Sequence, residues 1–587
     1  MTVIATAGHV DHGKSTLIRL LTGTDPDRWE EEKARGLTID LGFASLTLGS
    51  GRTLSFIDVP GHIRFLRNML AGVGAVQGCL FVVAATEGWK PQTEEHLRIL
   101  DLLGVAHGVI ALTKTDQVDA ELLELALLDV AEHVEGSFLE AAPVVPVAAP
   151  GRAGYDQLEV ELDALVDRVG PALDRAKPRL WIDRSFAPAG AGTVVTGTLT
   201  GGSVMVGDEL LLAPQRSSAR VRSLQTHHQS TDTAPPAARV AVNLTGISHH
   251  DVQRGDVLVT NGAWHHTRTV DAELNVLASL SHEVSRRGAY AAYIGSGEFN
   301  AAVRILGPET LAPGTRGNVR LHLDRPLPLV PGDRFILREH GRDETIGGGE
   351  ILDVDPIVPA SKARPDRSIH RVVAERGWIE LAQLRRLIGD DDQPTPIGAD
   401  PGGNGDDGLR LVGRWVVPSD VLDAAIEALR ADIEAAGALG LDIATLDEQR
   451  RAVLERIDEA KVDAGRVVLG TPVDPLADHW WVEVLLQDPL SPPNADGVDR
   501  AEVRELVRRG LVIEHDGVYF AATALEVAGR RLRSALEAQP EGMTVAEIRD
   551  LWGTSRKYVL AILGWMDATG QTRRREDLRL AGPRLPQ

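Results

Sequence analysis

The run Gly8-His9-Val10-Asp11-His12-Gly13-Lys14-Ser15 follows an apolar stretch, Val3 to Ala7, and precedes the helical spacing Leu17, Ile18, Leu20, Leu21. Nothing else in the chain restricts the fold as strongly. A strand, a glycine-flanked loop and a helix in that order open an α/β phosphate-binding domain. The two glycines let the backbone wrap a diphosphate with its N–H groups, Lys14 brings a point charge to the β and γ phosphates, and the Ser15 hydroxyl is a ligand for Mg²⁺. The nucleotide-contacting set predicted here is Gly8, Val10, Asp11, His12, Gly13, Lys14, Ser15 and Thr16.

Two later segments make the nucleotide a guanine nucleotide. Asp58-Val59-Pro60-Gly61 ends the apolar run Leu54 to Ile57, which puts a carboxylate toward the Mg²⁺ shell and the Gly61 N–H toward the γ phosphate. Ala111-Leu112-Thr113-Lys114-Thr115-Asp116 ends another apolar run. Asp116 would accept from the N1 and N2 donors of guanine while the Lys114 stem covers the base. Adenine lacks that donor pair and would leave a buried carboxylate unpaired, so discrimination should be strong. Ala148, after Val147, is the last expected base contact.

Bulk properties restrict the setting. A chain of 587 residues has room for several cores. Its formal net charge of -22 argues against binding nucleic acid over the whole surface, so any RNA contact must be local. The only cysteine, Cys79, sits in an apolar run and has no intrachain partner for a disulfide. Without a charged leader or a long apolar stretch, the chain is expected to be cytoplasmic and to make no membrane contact.

The motifs Gly8-His9-Val10-Asp11-His12-Gly13-Lys14, Arg35-Gly36-Leu37-Thr38-Ile39 and Asp58-Val59-Pro60-Gly61-His62 resemble those of translational GTPases. That resemblance implies roles. Thr38 would join Ser15 as a Mg²⁺ ligand when the γ phosphate is present, His62 would orient the hydrolytic water, and Val10 with Leu37 would form an apolar gate before it. Two positions depart from the pattern: Thr113 stands where Asn is usual, and Val147-Ala148-Ala149 lacks the expected serine.

The stretch Thr38-Ile39-Asp40-Leu41-Gly42-Phe43 resembles the first switch of selenocysteine-specific elongation factors, and Trp181 to Phe186 with Gly190 to Thr198 is similar to the opening of their second domain. Alternating apolar residues with glycine corners suit a small β-barrel. The resemblance implies a pocket for the aminoacyl end of a tRNA at Asp183, Arg184 and Arg239, with Phe43 as a wall. A selenol is far more acidic than a thiol, so the cargo side chain is an anion at neutral pH and guanidiniums would favour it over serine. A second barrel is expected over 268–356, ending near a flexible Gly347-Gly348-Gly349. The pairs His227-His228, His249-His250 and His265-His266 lack cysteine partners and repeated ligand spacing, and are assigned to barrel loops.

After residue 356 the pattern turns helical, with helices expected over Asp420 to Ala436 and Asp447 to Lys461, and a disordered acidic loop over 389–408. Asp499 to Leu506, then Leu511 to Ile513 and Gly517 to Phe520, read as recognition helix and wing. Thr544 to Leu551 forms a capped helix, Ser555-Arg556-Lys557-Tyr558 opens the next, and Thr572-Arg573-Arg574-Arg575 begins a wing. Residues 541–587 hold eight basic residues against six acidic ones, a local excess of two in an acidic chain. This unit resembles the terminal winged helix of the bacterial selenocysteine factors, which implies binding of an mRNA hairpin by Ser555, Arg556, Lys557, Tyr558, Arg573, Arg574 and Arg575.

The expected architecture is multidomain: an α/β P-loop GTPase domain at 1–172, β-barrels at 177–262 and 268–356, and a winged-helix array at 360–587 whose last unit is 536–587. The expected activity is GTP-dependent delivery of selenocysteinyl-tRNA to the ribosome at recoded UGA codons, by a monomer tethered to an mRNA hairpin and using GTP/GDP and Mg²⁺. The alternatives are a general aminoacyl-tRNA elongation or initiation GTPase, and a winged-helix nucleic-acid regulator that senses GTP.

Overall fold

The computed structural model describes residues 2–26, 38, 40–60, 66–73, 76–190, 192–227, 229–389, 408–470, 476 and 478–586. The chain divides into two compact units, 1–419 and 420–587. No helix among the described residues is long and apolar enough to cross a membrane.

The first unit begins with six strands: β1 (Thr2–Ala7), β2 (Gly42–Thr47), β3 (Thr53–Asp58), β4 (Gly78–Ala84), β5 (Gly108–Thr113) and β6 (Val144–Pro146). Their order is β2-β3-β1-β4-β5-β6, parallel except for β2 against β3. β1 and β4 are buried along their whole length, as strands covered on both faces must be. Alternation sorts their side chains between two cores. Val3, Ala5 and Phe81 point to one, Ile4, Leu80 and Val82 to the other. The helices α1 (Lys14–Thr22), α2 (Leu66–Val73), α3 (Pro91–Leu102), α4 (Ala120–Val134) and α5 (Tyr155–Val169) complete the domain.

Two closed barrels follow. The first is a ring of Arg179–Phe186, Thr193–Thr200, Arg239–Thr245, Ser217–Thr226, Glu209–Ala213 and Val257–Thr260. The second closes through His266–Val276, Arg316–Pro328, Gly297–Ile305, Tyr290–Ile294, Arg334–Glu339 and Glu344–Asp353. Arg179 joins the barrels through a two-pronged ion pair with Asp333, at 2.6 and 2.7 Å. Ala291, Tyr293 and Ile336 of the second barrel pack into the same core as Met69 and Leu97 of the GTPase-like domain.

Gly347-Gly348-Gly349 is not a flexible end. It lies inside the buried strand Glu344–Asp353, bonded to strands on both sides. A Cβ on Gly347 would sit 2.2 Å from the Asn275 carbonyl oxygen, and one on Gly349 1.9 Å from that of Glu273. A Cβ on Gly348 would lie 2.5 Å from the Phe335 oxygen and 3.2 Å from Leu102 at the end of α3. The glycines are there because neighbouring chain approaches too closely for a side chain.

The unit ends in helices Ile369–Arg376 and Leu381–Ile388 with a three-stranded sheet of Ile379–Glu380, Leu409–Val412 and Trp415–Pro418, a winged-helix arrangement. The acidic loop expected over 389–408 falls almost entirely outside the described residues.

The second unit holds further helix-and-wing modules. The helix expected over Asp447 to Lys461 stops early, at Glu448–Leu454. Ala460–Asp463 instead pairs with Arg466–Leu469 across Ala464 and Gly465, both at positive φ, a two-residue hairpin turn that overrides the helical pattern. The last module contains Val545–Trp552, Arg556–Ala568 and the wing strands Thr572–Arg575 and Leu578–Ala581, packed around Ile548, Trp552, Ile562 and Met566.

Candidate functional site

The phosphate-binding loop joins the buried end of β1 to α1. Gly8 has φ +134°, and a Cβ there would meet the Val82 oxygen at 2.1 Å, so no other residue fits. Gly13, at φ +87°, caps α1. Lys14 is buried and donates to the Gly8 and His9 carbonyls at 3.0 and 2.7 Å. Ser15 Oγ donates to Asp58 Oδ2 at 2.7 Å and lies 2.8 Å from Thr38 Oγ1. Asp58 is fully buried, and its other oxygen accepts from Thr6 at 2.6 Å. Asp11, in the loop, and Thr16, in the first turn of α1, are exposed.

Sequence reasoning missed a support behind this loop. His96 Nδ1, on α3, accepts from the Gly8 N–H at 3.0 Å, and Gln92 Oε1 accepts from the Val10 N–H at 3.4 Å. Burial pushes His96 down to about 3 and His12 down to about 4, so both rings are neutral at physiological pH. The spacing Gln92 to His96 on one face of a helix was the available signal, but its partners lie far away in the chain.

The expected base-contacting residues meet at the ends of β5 and β6. Thr113 Oγ1 donates to the His12 carbonyl at 2.7 Å, so the residue replacing the usual Asn ties this strand to the phosphate loop. Lys114 takes a left-handed conformation and its Nζ contacts Glu87 at 3.1 Å. Asp116 is exposed, and Ala148 is buried, pairing with Ala153. Gly61, His62 and Leu37 lie outside the described residues.

A cavity of about 360 Å³ opens between β2 and β3 and the first barrel. Phe43, Arg184 and Arg239 line it, with Ser45, Ser55 and His227. The Arg239 guanidinium carbon lies 3.3 Å from the Phe43 ring centre and that of Arg184 lies 5.1 Å away, so one aromatic ring contacts both cations. Asp183 does not line the cavity. It is buried beneath, accepting from Arg239, with 3.0 Å to one nitrogen, and from Thr196 at 2.8 Å. Arg184 donates to Asp40 at 2.8 Å and to the Leu41 carbonyl at 2.6 Å. His227, assigned from sequence to a barrel loop, is in that loop but faces the cavity, 3.5 Å from Ser55 Oγ.

In the terminal module, Thr544 and Glu547 form a reciprocal cap on Val545–Trp552. Ser555, Arg556 and Lys557 are exposed at the start of Arg556–Ala568. Arg573, Arg574 and Arg575 are exposed on the wing, whose register sets Arg574 opposite Arg579. Arg579 is buried against Asp567 at 3.0 Å. Tyr558 is half-buried, and its hydroxyl donates to the Pro492 carbonyl at 3.2 Å.

Residues 1–169 match the elongation factor Tu GTP binding domain, 192–259 elongation factor Tu domain 2, 270–357 the beta-barrel domain of selenocysteine-specific elongation factor, and 534–581 the winged helix of elongation factor SelB. The chain is 33% identical to the selenocysteine-specific elongation factor of Desulfomicrobium baculatum, over 98% of this chain and 99% of that protein. It is 32% identical to that of Escherichia coli K12, over 98% and 97%. Among solved structures, a bacterial selenocysteine-specific elongation factor shares the fold with a TM-score of 0.71 at 24% identity, over 99% of this chain and 100% of that one.

Proposed function

The chain belongs to the selenocysteine-specific elongation factor family and is a translational GTPase, and on that premise we propose that the cavity beside Phe43 holds the selenocysteinyl end of its tRNA. The observation that carries this reading is the convergence of Arg184 and Arg239 on the one Phe43 ring, with Asp183 buried under Arg239. Prepositioned guanidiniums bind an anionic side chain without first reorganising, whereas a seryl hydroxyl offers them no charge.

The phosphate loop is read as holding GTP, with Lys14 turned to the phosphates and Asp116 to the base. The Ser15 hydroxyl lies within hydrogen-bond distance of both the Thr38 hydroxyl and the Asp58 carboxylate, a hard-oxygen set that suits Mg²⁺. Such an ion would supply charge neutralisation at the β and γ phosphates. His62 is the proposed water-orienting residue, acting on the ribosome in the cytoplasm.

The terminal winged helix is read as the grip on an mRNA hairpin. Arg573, Arg574, Arg575, Arg556 and Lys557 would neutralise hairpin phosphates, with exposed loop bases giving specificity. Tethering raises the local concentration of one rare tRNA at one codon. The test is retention of charged tRNA by the purified chain. Selenocysteinyl-tRNA should be held with GTP and released with GDP, and R184A/R239A should weaken it far more than seryl-tRNA. Equal losses for both cargoes would remove the cavity from the mechanism.

A further inference from the structure

The two cavity arginines are held in different ways. Arg239 is fixed within its own barrel, by Asp183 and Thr196. Arg184 leaves its barrel strand to bond the GTPase domain, and its two acceptors are Asp40 Oδ2 and the Leu41 carbonyl. Those acceptors sit immediately after Thr38, whose hydroxyl is 2.8 Å from Ser15 at the head of α1. Two residues of extended chain span about 7 Å at most. A shift of Thr38 is therefore transmitted to Asp40 with little slack. The segment 38–43 meets the phosphate-loop side at Thr38, bonds Arg184 at Asp40 and Leu41, and reaches the cavity at Phe43.

We propose that Asp40 is a positioning residue that makes the Arg184 half of the cavity conditional on the nucleotide, while Arg239 remains in place in either state. This rests on the reading of the cavity as the aminoacyl site. With Thr38 held beside Ser15, the Asp40 carboxylate and Leu41 carbonyl hold the Arg184 guanidinium beside the Phe43 ring. When Thr38 leaves, both acceptors leave with it. Among the described residues no hydrogen bond or ion pair then ties Arg184 within its own barrel, and the cavity keeps one of its two cations. Asp40 is 28% exposed on its side chain and Arg184 23%, so the link is partly withdrawn from water and its loss is not offset by hydration alone.

The measurement is the ratio of selenocysteinyl-tRNA affinities in the GTP and GDP states, on the full-length protein. D40N keeps the size of the side chain and removes the charge. It should lower the ratio about tenfold, the worth of one charge-assisted hydrogen bond. The same D40N change made in R184A should move the ratio less than twofold, because its partner is already gone. Coupling of binding energies is reciprocal, so bound tRNA should raise the equilibrium preference for GTP over GDP less in D40N, by the same factor. D40E, which retains the carboxylate, should recover most of the ratio.

A ratio in D40N within twofold of the unaltered protein overturns the proposal, as does an equal loss in the R184A background. These failures are distinguishable from failure of the cavity reading. R184A/R239A discriminating against selenocysteinyl-tRNA while D40N leaves the ratio untouched would discard only the coupling. Equal losses of selenocysteinyl- and seryl-tRNA binding in R184A/R239A would discard the cavity.

Discussion

The arginines of the cavity and those of the terminal wing bear the same charge and are built on opposite plans. Arg239 is 14% exposed on its side chain and two-pronged onto a buried carboxylate, while Arg573, Arg574 and Arg575 stand exposed on a two-stranded hairpin. Partial burial with paired hydrogen bonds holds a guanidinium in one orientation and lets it choose between similar small groups. Exposure leaves it mobile and screened, which suits attraction to a phosphate backbone whose detailed shape is read elsewhere. Position serves selection in the first case, and charge serves capture in the second.

The most severe test of that contrast is D183N. It leaves Arg239 without its carboxylate in a site that is mostly out of water, and breaking such pairs costs about 3–5 kcal/mol. Selenocysteinyl-tRNA affinity in the GTP state should fall by about two orders of magnitude or more, measured by filter binding. Hairpin affinity should not move. A loss under fivefold would mean that Arg239 is positioned by Phe43 and Thr196 instead.

The next test works on the wing. R573A/R574A/R575A should weaken hairpin binding by about 10- to 100-fold near 0.1 M salt and flatten the dependence of log affinity on log salt by about 2. The preference for selenocysteinyl- over seryl-tRNA should survive unchanged. An unaltered salt slope would show that these arginines do not meet phosphate, and would leave Arg556 and Lys557 to carry the contact.

What could be read from the sequence divides along similar lines. The phosphate loop was legible because its demands are local: Gly8 must be glycine since the chain passes the Val82 carbonyl, and Lys14 and Ser15 follow at fixed spacing. The cavity residues were legible only through a family resemblance, since nothing local distinguishes Arg184 or Arg239 from a surface arginine. His96 and Asp40 escaped altogether, because their partners are 88 and 144 residues away. The triple glycine misled because composition suggests freedom, whereas crowding between neighbouring strands is what excludes a side chain there. The helix expected over Asp447 to Lys461 ends at Leu454 because a turn with positive φ at Ala464 and Gly465 carries more weight than apolar spacing.

Smaller effects follow from protonation. His12 and His96 are held neutral by burial, down to about 4 and about 3, below the ordinary histidine value. For a base whose folded pKa is lowered, the unfolded chain takes up the proton first. Stability is complete above about pH 6.5 and is lost as pH falls toward the folded values. Each histidine contributes a slope of about 1.4 kcal/mol per pH unit inside that window. Urea unfolding followed by a probe in the GTPase domain between pH 7 and 4.5 should show the fall, and H96N should reduce the slope by one proton. The wing bears no such buried histidine among the described residues, so hairpin contacts should not share this dependence.

Tyr558 gives the smallest effect and the sharpest question about the tip. It was expected to touch the hairpin, yet its hydroxyl is committed to the Pro492 carbonyl, while Thr554 next to the same helix bonds the Leu490 carbonyl at 2.6 Å. Together they tie the start of Arg556–Ala568 to the preceding segment. Y558F removes one neutral hydrogen bond and should cost about 1 kcal/mol of stability in this module. If the ring serves only as a strut, hairpin affinity and its salt slope stay within twofold. If the hydroxyl also meets RNA, affinity falls by more than the stability loss predicts while the slope is unchanged, because a neutral donor releases no counterion. The salt slope therefore separates a strut from a contact, as it separates the wing arginines from the paired arginines of the cavity.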